Sequence, residues 1–163
     1  MQNKAYNHSH SVEQTNGRQA NAMTDAASDG EEPRAEHVFK ALGNETRLRI
    51  VHMLRVSGKA LCVCEIVDAL QMPEYQVSRH LAALKKAGLV DARKHGTWAY
   101  HTLATNHIFD SLWAFLDDAL RGAPFEEDAQ LLERRLQLRA GDYCVVGAVS
   151  AYTLKGTSAG ERS

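Results

Sequence analysis

The sequence predicts a mainly α-helical fold that carries one small β-hairpin. Three observations predict it. Apolar residues recur at helical spacing in six segments between residues 35 and 136. Gly43, Gly58, Pro73 and Gly88 stand at the junctions between the first of them. The period changes only after Gly88, where "LVDAR" and "TWAYHTL" are β-prone flanks around a turn at "KHG".

The elements follow in order. "RAEHVFKALGN" opens the ordered part, with Val38, Phe39 and Leu42 on one stripe and Gly43 as a stop. Asn44 suits the N-cap of "ETRLRIVHMLRVSG", whose Ile50, Val51 and Leu54 share a face beside Leu48. A third helix runs from about Val63 to Leu70. "QMP" then breaks the chain, and Pro73 suits the first turn of "PEYQVSRHLAALKKAG". Val77, Leu81 and Leu84 define the buried side of that fourth helix. The hairpin follows, then the amphipathic helix "NHIFDSLWAFLDDALRG" with two apolar stripes. One is Ile108, Leu112, Phe115 and Ala119; the other is Phe109, Trp113, Leu116 and Leu120. So wide an apolar face lies in mid-core or pairs with another subunit. After Pro124, "FEEDAQLLERRLQLRAG" gives one more helix with Phe125, Ala129, Leu132 and Leu136 on a face. "DYCVVGAV" is a short apolar run carrying Cys144.

Residues 1–33 are polar, without apolar period, and read as a disordered tail in which His8 and His10 are solvated. Residues 34–122 form the central domain, and 123–163 hold the last helix and a tail whose final ten or so residues are also read as disordered. At 163 residues the length suits one domain plus tails. No apolar run approaches the roughly 20 residues needed to cross a bilayer. The N-terminal stretch lacks the apolar core of a signal peptide. The expected location is the cytoplasm, where thiols stay reduced, which weakens a disulfide reading of the three cysteines.

Two short helices joined at "QMP" and followed by a hairpin predict a winged helix-turn-helix. In that arrangement the second helix enters the DNA major groove. The net charge is −1, so a nucleic-acid footprint must be local. Residues 72–101 supply it: Arg79, Lys85, Lys86, Arg93 and Lys94 against Glu74 and Asp91, five minus two, or +3. With Val77, Leu81 and Leu84 turned inward, Tyr75, Arg79, Ala82, Ala83 and Lys86 point outward, flanked by Gln76, Ser78 and His80. Arg79 and Gln76 can donate in pairs to guanine and adenine edges. Ser78 and the lysines can hold phosphates. The hairpin tip adds Arg93, Lys94, His95 and Thr97 to the expected DNA-contacting set. No Gly-rich phosphate loop or local nucleophile motif is present, so an enzyme is not expected.

"LCVCEIVDAL" places Cys62 and Cys64 one residue apart at the start of the third helix. As residues they fit small core positions, a disulfide or a binding site. In mid-helix, i and i+2 stand about 200° apart and cannot hold one ion. In an extended segment they share a side. Joint binding therefore requires Cys62 to precede the helix, or the first turn to unwind and disturb the recognition helix. Helix N-terminal amides are expected to lower the thiol pKa.

Over residues 35–122 the sequence resembles the ArsR/SmtB family of metal-sensing repressors. The resemblance rests on "FKALGNETRLRIVHML", "LCVCEIVDAL", "VSRHLAALKKAGLV" and "RKHGTWAYHTL", in the family's order and spacing. It implies a homodimer built from the first and last core helices, here Val38, Phe39 and Leu42 with Ile108, Leu112, Phe115 and Leu116. It also implies a ligand-free dimer on double-stranded operator DNA that leaves when metal binds. "LCVCE" is similar to the thiolate site of the arsenite-responsive and the cadmium/lead-responsive members. The third cysteine common in arsenic members falls at Val67, and the N-terminal arm holds no cysteine. The family's carboxylate–histidine site on the last core helix is matched only at His107, since the other places hold Thr105, Asp118 and Arg121. A zinc- or cobalt-type site there is rejected.

The resemblance implies As(III) or Sb(III) as effector, held by three thiolates, with Cd(II) or Pb(II) as the rival. No resident cofactor is required. Cys62 and Cys64 supply two thiols, and Cys144, the one remaining cysteine, is the expected third from its own or a partner subunit. The expected function is repression of metalloid-resistance genes. Oxidation of Cys62 or Cys64 is a second possible trigger, and a non-regulatory DNA-binding or protein-interaction module is the reading from another class.

Overall fold

The computed structural model describes residues 33–149. The tail expected over residues 1–33, with His8 and His10, lies outside them save for Pro33, and so do the final ten or so residues.

Helix α1 (Ala35–Leu42) buries Val38, Ala41 and Leu42. Asn44 caps α2 (Glu45–Ser57), its side chain accepting from the Arg47 N–H at 3.2 Å. Ile50, Val51 and Met53 of α2 are fully buried. Helix α3 (Val63–Leu70) begins immediately after a two-residue strand, β1 (Leu61–Cys62). The turn that follows carries Gln71 in the left-handed region. Helix α4 (Glu74–Lys86) buries Val77, Leu81 and Leu84 as its spacing predicts. Burying each of these contributes roughly 1.5–3 kcal/mol.

Strands β2 (Val90–His95) and β3 (Trp98–Leu103) form the hairpin, and the sheet order is β1-β3-β2, all antiparallel. The turn differs from the expected "KHG". His95 pairs with Trp98, so the strand runs through Lys94 and His95 and only Gly96 and Thr97 turn. Gly96 sits at φ +58°, a conformation other residues resist, and that permits so short a loop.

The next helix is split. Asn106 caps a 3₁₀ turn (His107–Phe109) by accepting from the Ile108 N–H, and α5 (Asp110–Ala119) follows. Its two stripes have different fates. Phe109, Trp113, Leu116 and Leu120 are buried in this chain's own core. Ile108 and Phe115 remain 51% and 66% exposed, and Leu112 is half-buried.

Helix α6 (Phe125–Leu136) packs against α2 and α3. It is therefore set apart from residues 34–122 by sequence but not by packing. Its buried face also departs from the expected Phe125, Ala129, Leu132 and Leu136. Asp128, Leu131, Leu132 and Arg135 point inward, two of them charged. Asp128 is held by the Arg49 guanidinium through two 2.7 Å hydrogen bonds. Arg135 Nε donates to Asp68 of α3 at 2.6 Å, with both side chains buried. Each charge has a partner, which is how buried charges are tolerated. Among the described residues, no helix is long and apolar enough to cross a membrane.

Candidate functional site

Cys62 is the N-cap of α3, with extended backbone at φ −81° and ψ 160°, and Cys64 lies in the first turn. Pairing of β1 with β3 holds Cys62 extended, opposite Tyr100. Reciprocal bonds with Glu65 fix the cap: the Cys62 N–H donates to Glu65 Oε2 at 2.9 Å, and the Cys62 sulfur accepts from the Glu65 N–H. The condition for joint binding by the two thiols is met without unwinding α3.

Cys144 arrives from the far end of the chain. Its sulfur lies 3.2 Å from Cys64 Sγ. The sulfurs of Cys62, Cys64 and Cys144 all lie within 4.8 Å of one another, and all three residues are buried and free of disulfides. Tyr100 packs against them, flanked by Ala60 and Trp98.

The connection across these 80 residues is made by α6 and the segment after it. Arg135 Nη2 donates to the carbonyls of Val146 at 3.0 Å and Gly147 at 2.9 Å, and approaches Cys144 Sγ at 3.5 Å. Arg139 forms two bonds to the Glu65 carboxylate, at 2.7 and 2.8 Å, and one to the Ala60 carbonyl at 2.7 Å. Burial alone would raise the Glu65 pKa, but Arg139 and the Cys62 N–H outweigh it and hold the carboxyl below its ordinary value. Reading the sequence alone missed these arginines. The signal was the pairing of acids on α3 (Glu65, Asp68) with bases after Leu132 (Arg135, Arg139), and charges read one at a time are assigned to solvent.

The expected lowering of the thiol pKa does not hold at Cys62. Cys62 is pushed up, first by the Cys64 thiol beside it and then by burial, against the opposing Glu65 N–H. Cys144 is also pushed up, chiefly by burial. Both shifts favour the protonated form of these two thiols. Three soft donors in a buried cluster suit a soft, thiophilic ion and not a hard one.

The residues expected to contact DNA lie together on α4 and the hairpin. Tyr75, Ser78, Arg79 and Lys86 are exposed on α4, while Gln76 and His80 are half-buried. Burial, with Arg47 and Arg79 nearby, holds the His80 imidazole below its ordinary pKa. Arg93, Lys94, His95 and Thr97 are exposed on the hairpin. Of the residues expected at a dimer interface, Val38, Leu42 and Leu116 are instead buried in this chain's own core. Phe39, Ile108 and Phe115 remain as exposed large apolar side chains, Phe39 at 68%.

Residues 44–92 match the family described as "Bacterial regulatory protein, arsR family". The chain is 41% identical over 101 residues to the arsenical resistance operon repressor of Escherichia coli, covering 61% of this chain and 81% of that protein. It is 44% identical over 75 residues to an HTH-type transcriptional regulator of Methanocaldococcus jannaschii, covering 46% of this chain and 83% of that one. It is 37% identical over 71 residues to a cadmium resistance transcriptional regulatory protein homolog of Staphylococcus aureus, covering 44% and 58%. With a helix pair, a basic hairpin and relatives matched over most of their length, the chain belongs to the arsR family of bacterial regulatory proteins, which are DNA-binding transcriptional regulators and not enzymes.

Proposed function

We propose that this protein is a homodimeric repressor that leaves its operator when arsenite or antimonite binds Cys62, Cys64 and Cys144, and that it controls metalloid-resistance genes in the cytoplasm. The observation that carries the reading is the convergence of all three thiols within 4.8 Å. The raised pKa values of Cys62 and Cys144 favour the neutral metalloid. Arsenous acid condenses with three thiols, forming three As–S bonds and releasing three waters, with no net charge left in the buried site. A divalent ion must instead displace a proton from each thiol it binds, and the raised pKa values of Cys62 and Cys144 oppose that. The relative from Escherichia coli is an arsenical resistance operon repressor, which agrees.

The test is operator binding titrated with arsenite, cadmium or peroxide at several pH values. Micromolar arsenite is expected to release the DNA with little change between about pH 6 and 8. Cadmium release is expected to need higher concentrations and to strengthen as pH rises, because protons leave the thiols. Release by cadmium alone would overturn the arsenite reading.

A second reading, thiol oxidation, is favoured by the 3.2 Å between Cys64 and Cys144. Peroxide would take two electrons from the two thiols, giving a disulfide and two waters. Burial and protonation make Cys144 a poor nucleophile for that step, so release by peroxide is expected to be slow.

On the DNA side, Lys94→Ala is expected to weaken binding to all sequences alike. The slope of log affinity against log salt should become shallower by about 0.9 for each phosphate that the variant leaves without its cation. Arg79→Ala is expected to relax sequence preference at one base position by roughly 1–3 kcal/mol. Parallel competition assays with operator and random DNA distinguish the two effects, and unchanged binding in both variants would exclude both side chains from the DNA interface. For the dimer, the exposed Phe39, Ile108 and Phe115 on α1 and around α5 supply the apolar surface.

A further inference from the structure

From Arg139 to Val149 the chain has no helix and only one isolated bridge, Ala140 to Tyr143, yet it is tied down along its whole length. Arg139 is fixed to Glu65 and Ala60 at one end, and the Val149 N–H donates to Asp68 at 3.0 Å at the other. Between these ends, two ties reach the hairpin. The Tyr143 ring stacks on His95 with centroids 3.8 Å apart and planes 7° from parallel. The Cys144 N–H donates to the Tyr100 hydroxyl at 2.7 Å. His95 ends β2 next to the turn, and Tyr100 lies on β3, so both hairpin strands are held.

We infer that this segment is a strap that transmits effector binding to the hairpin, with Tyr143 on His95 as the point of transmission. The inference rests on the proposed reading of the three thiols. Cys144 Sγ–H now donates to the Val146 carbonyl at 2.8 Å and its sulfur faces Arg135. A sulfur bonded to an effector has no proton to donate, so the local bonds of residues 144–146 must rearrange. Tyr143 is the adjacent residue, and the Cys144 amide is itself one of the ties. A shift there changes the support of His95 and Tyr100, and through them the placement of Arg93, Lys94 and Thr97. Helix α3 need not move, because Cys62 is already extended and its cap is complete. The hairpin, rather than the recognition helix, is then the element that both sites bias.

The measurement is the ratio of operator Kd with and without arsenite, in the wild type and in Tyr143→Ala. Arsenite is expected to weaken wild-type binding by at least about tenfold, within the usual range of coupling between sites. In Tyr143→Ala the ratio is expected to fall below about threefold, while arsenite affinity, read from thiol–arsenic ultraviolet absorbance, stays within about threefold. Tyr100→Phe, which removes the hydroxyl and keeps the ring, is expected to give an intermediate ratio. A full ratio in Tyr143→Ala overturns the proposal. So does an arsenite affinity that falls in step with the response, since the tyrosine would then only hold the site.

A ligand-free arm separates this proposal from the effector reading. Amide hydrogen exchange of residues 93–100 is expected to be about tenfold faster in Tyr143→Ala, with α2 amides unchanged. Unchanged exchange in the hairpin overturns the strap whatever the effector. If arsenite leaves the wild-type complex intact, the effector reading fails, and the same ratio is read with cadmium.

Discussion

Cys144→Ser is expected to weaken arsenite binding by more than about 100-fold, the upper end of what loss of a mere supporting partner costs. Serine is slightly smaller and still carries a donor for the Val146 carbonyl, but it removes the third soft donor. Two thiols and a water are then left for an ion that prefers three sulfurs. Cys62→Ser and Cys64→Ser should lose at least as much. The measurement is arsenite titration followed by ultraviolet absorbance and by DNA release, with circular dichroism to confirm the fold. The sulfur coordination number from X-ray absorption should fall from three to two in Cys144→Ser. An unchanged number and an unchanged arsenite response would remove Cys144 from the site. The alternative is a third donor from outside this chain, such as a small thiol, and dialysis against a non-thiol buffer would expose it.

Asp68→Ala carries the second largest expected effect, and it falls on stability. Asp68 and Arg135 are both buried, 2.6 Å apart, and Asp68 also accepts from the Val149 N–H. Removing the carboxylate strands a guanidinium in the core, at a cost of about 3–5 kcal/mol. That is a large share of the roughly 5–15 kcal/mol by which domains are stable. Urea denaturation should show the midpoint falling accordingly.

The paired change Asp68→Leu with Arg135→Met separates the two roles of this ion pair. Apolar residues of similar size commonly restore stability when both charges leave together. The carbonyls of Val146 and Gly147 would still have lost their donor. The double variant is therefore expected to recover most of the urea midpoint but not the arsenite affinity. Recovery of both would show that Arg135 does not position Cys144.

Much of the fold was legible because it is written in local periods and caps. Asn44 and Gly58 bracket α2, Pro73 precedes α4, and Val77, Leu81 and Leu84 lie on the buried side as their spacing requires. The hairpin was legible from its change of period, although its turn was misplaced because Lys94 and His95, polar and exposed, carry no strand signal on their own. Strand β1 was not legible at all, since two residues cannot display a period. The two apolar stripes of this segment were legible from spacing, and one of them is buried in this chain's own core. Which half is buried depended on how the segment packs against the rest of the chain.

By itself the sequence determined the helix-turn-helix with its hairpin, the basic surface on that unit, and the neighbourhood of Cys62 and Cys64. All of these arise between residues close in the chain, where spacing alone sets direction. Only the tertiary structure decided that Cys144 joins them. That approach spans 80 residues and depends on Arg135 and Arg139 being desolvated against Asp68 and Glu65. Charged residues are exposed by default, so no local pattern announces their burial. Packing of α6 on α3 brings the opposite charges together, and with them comes the third thiol.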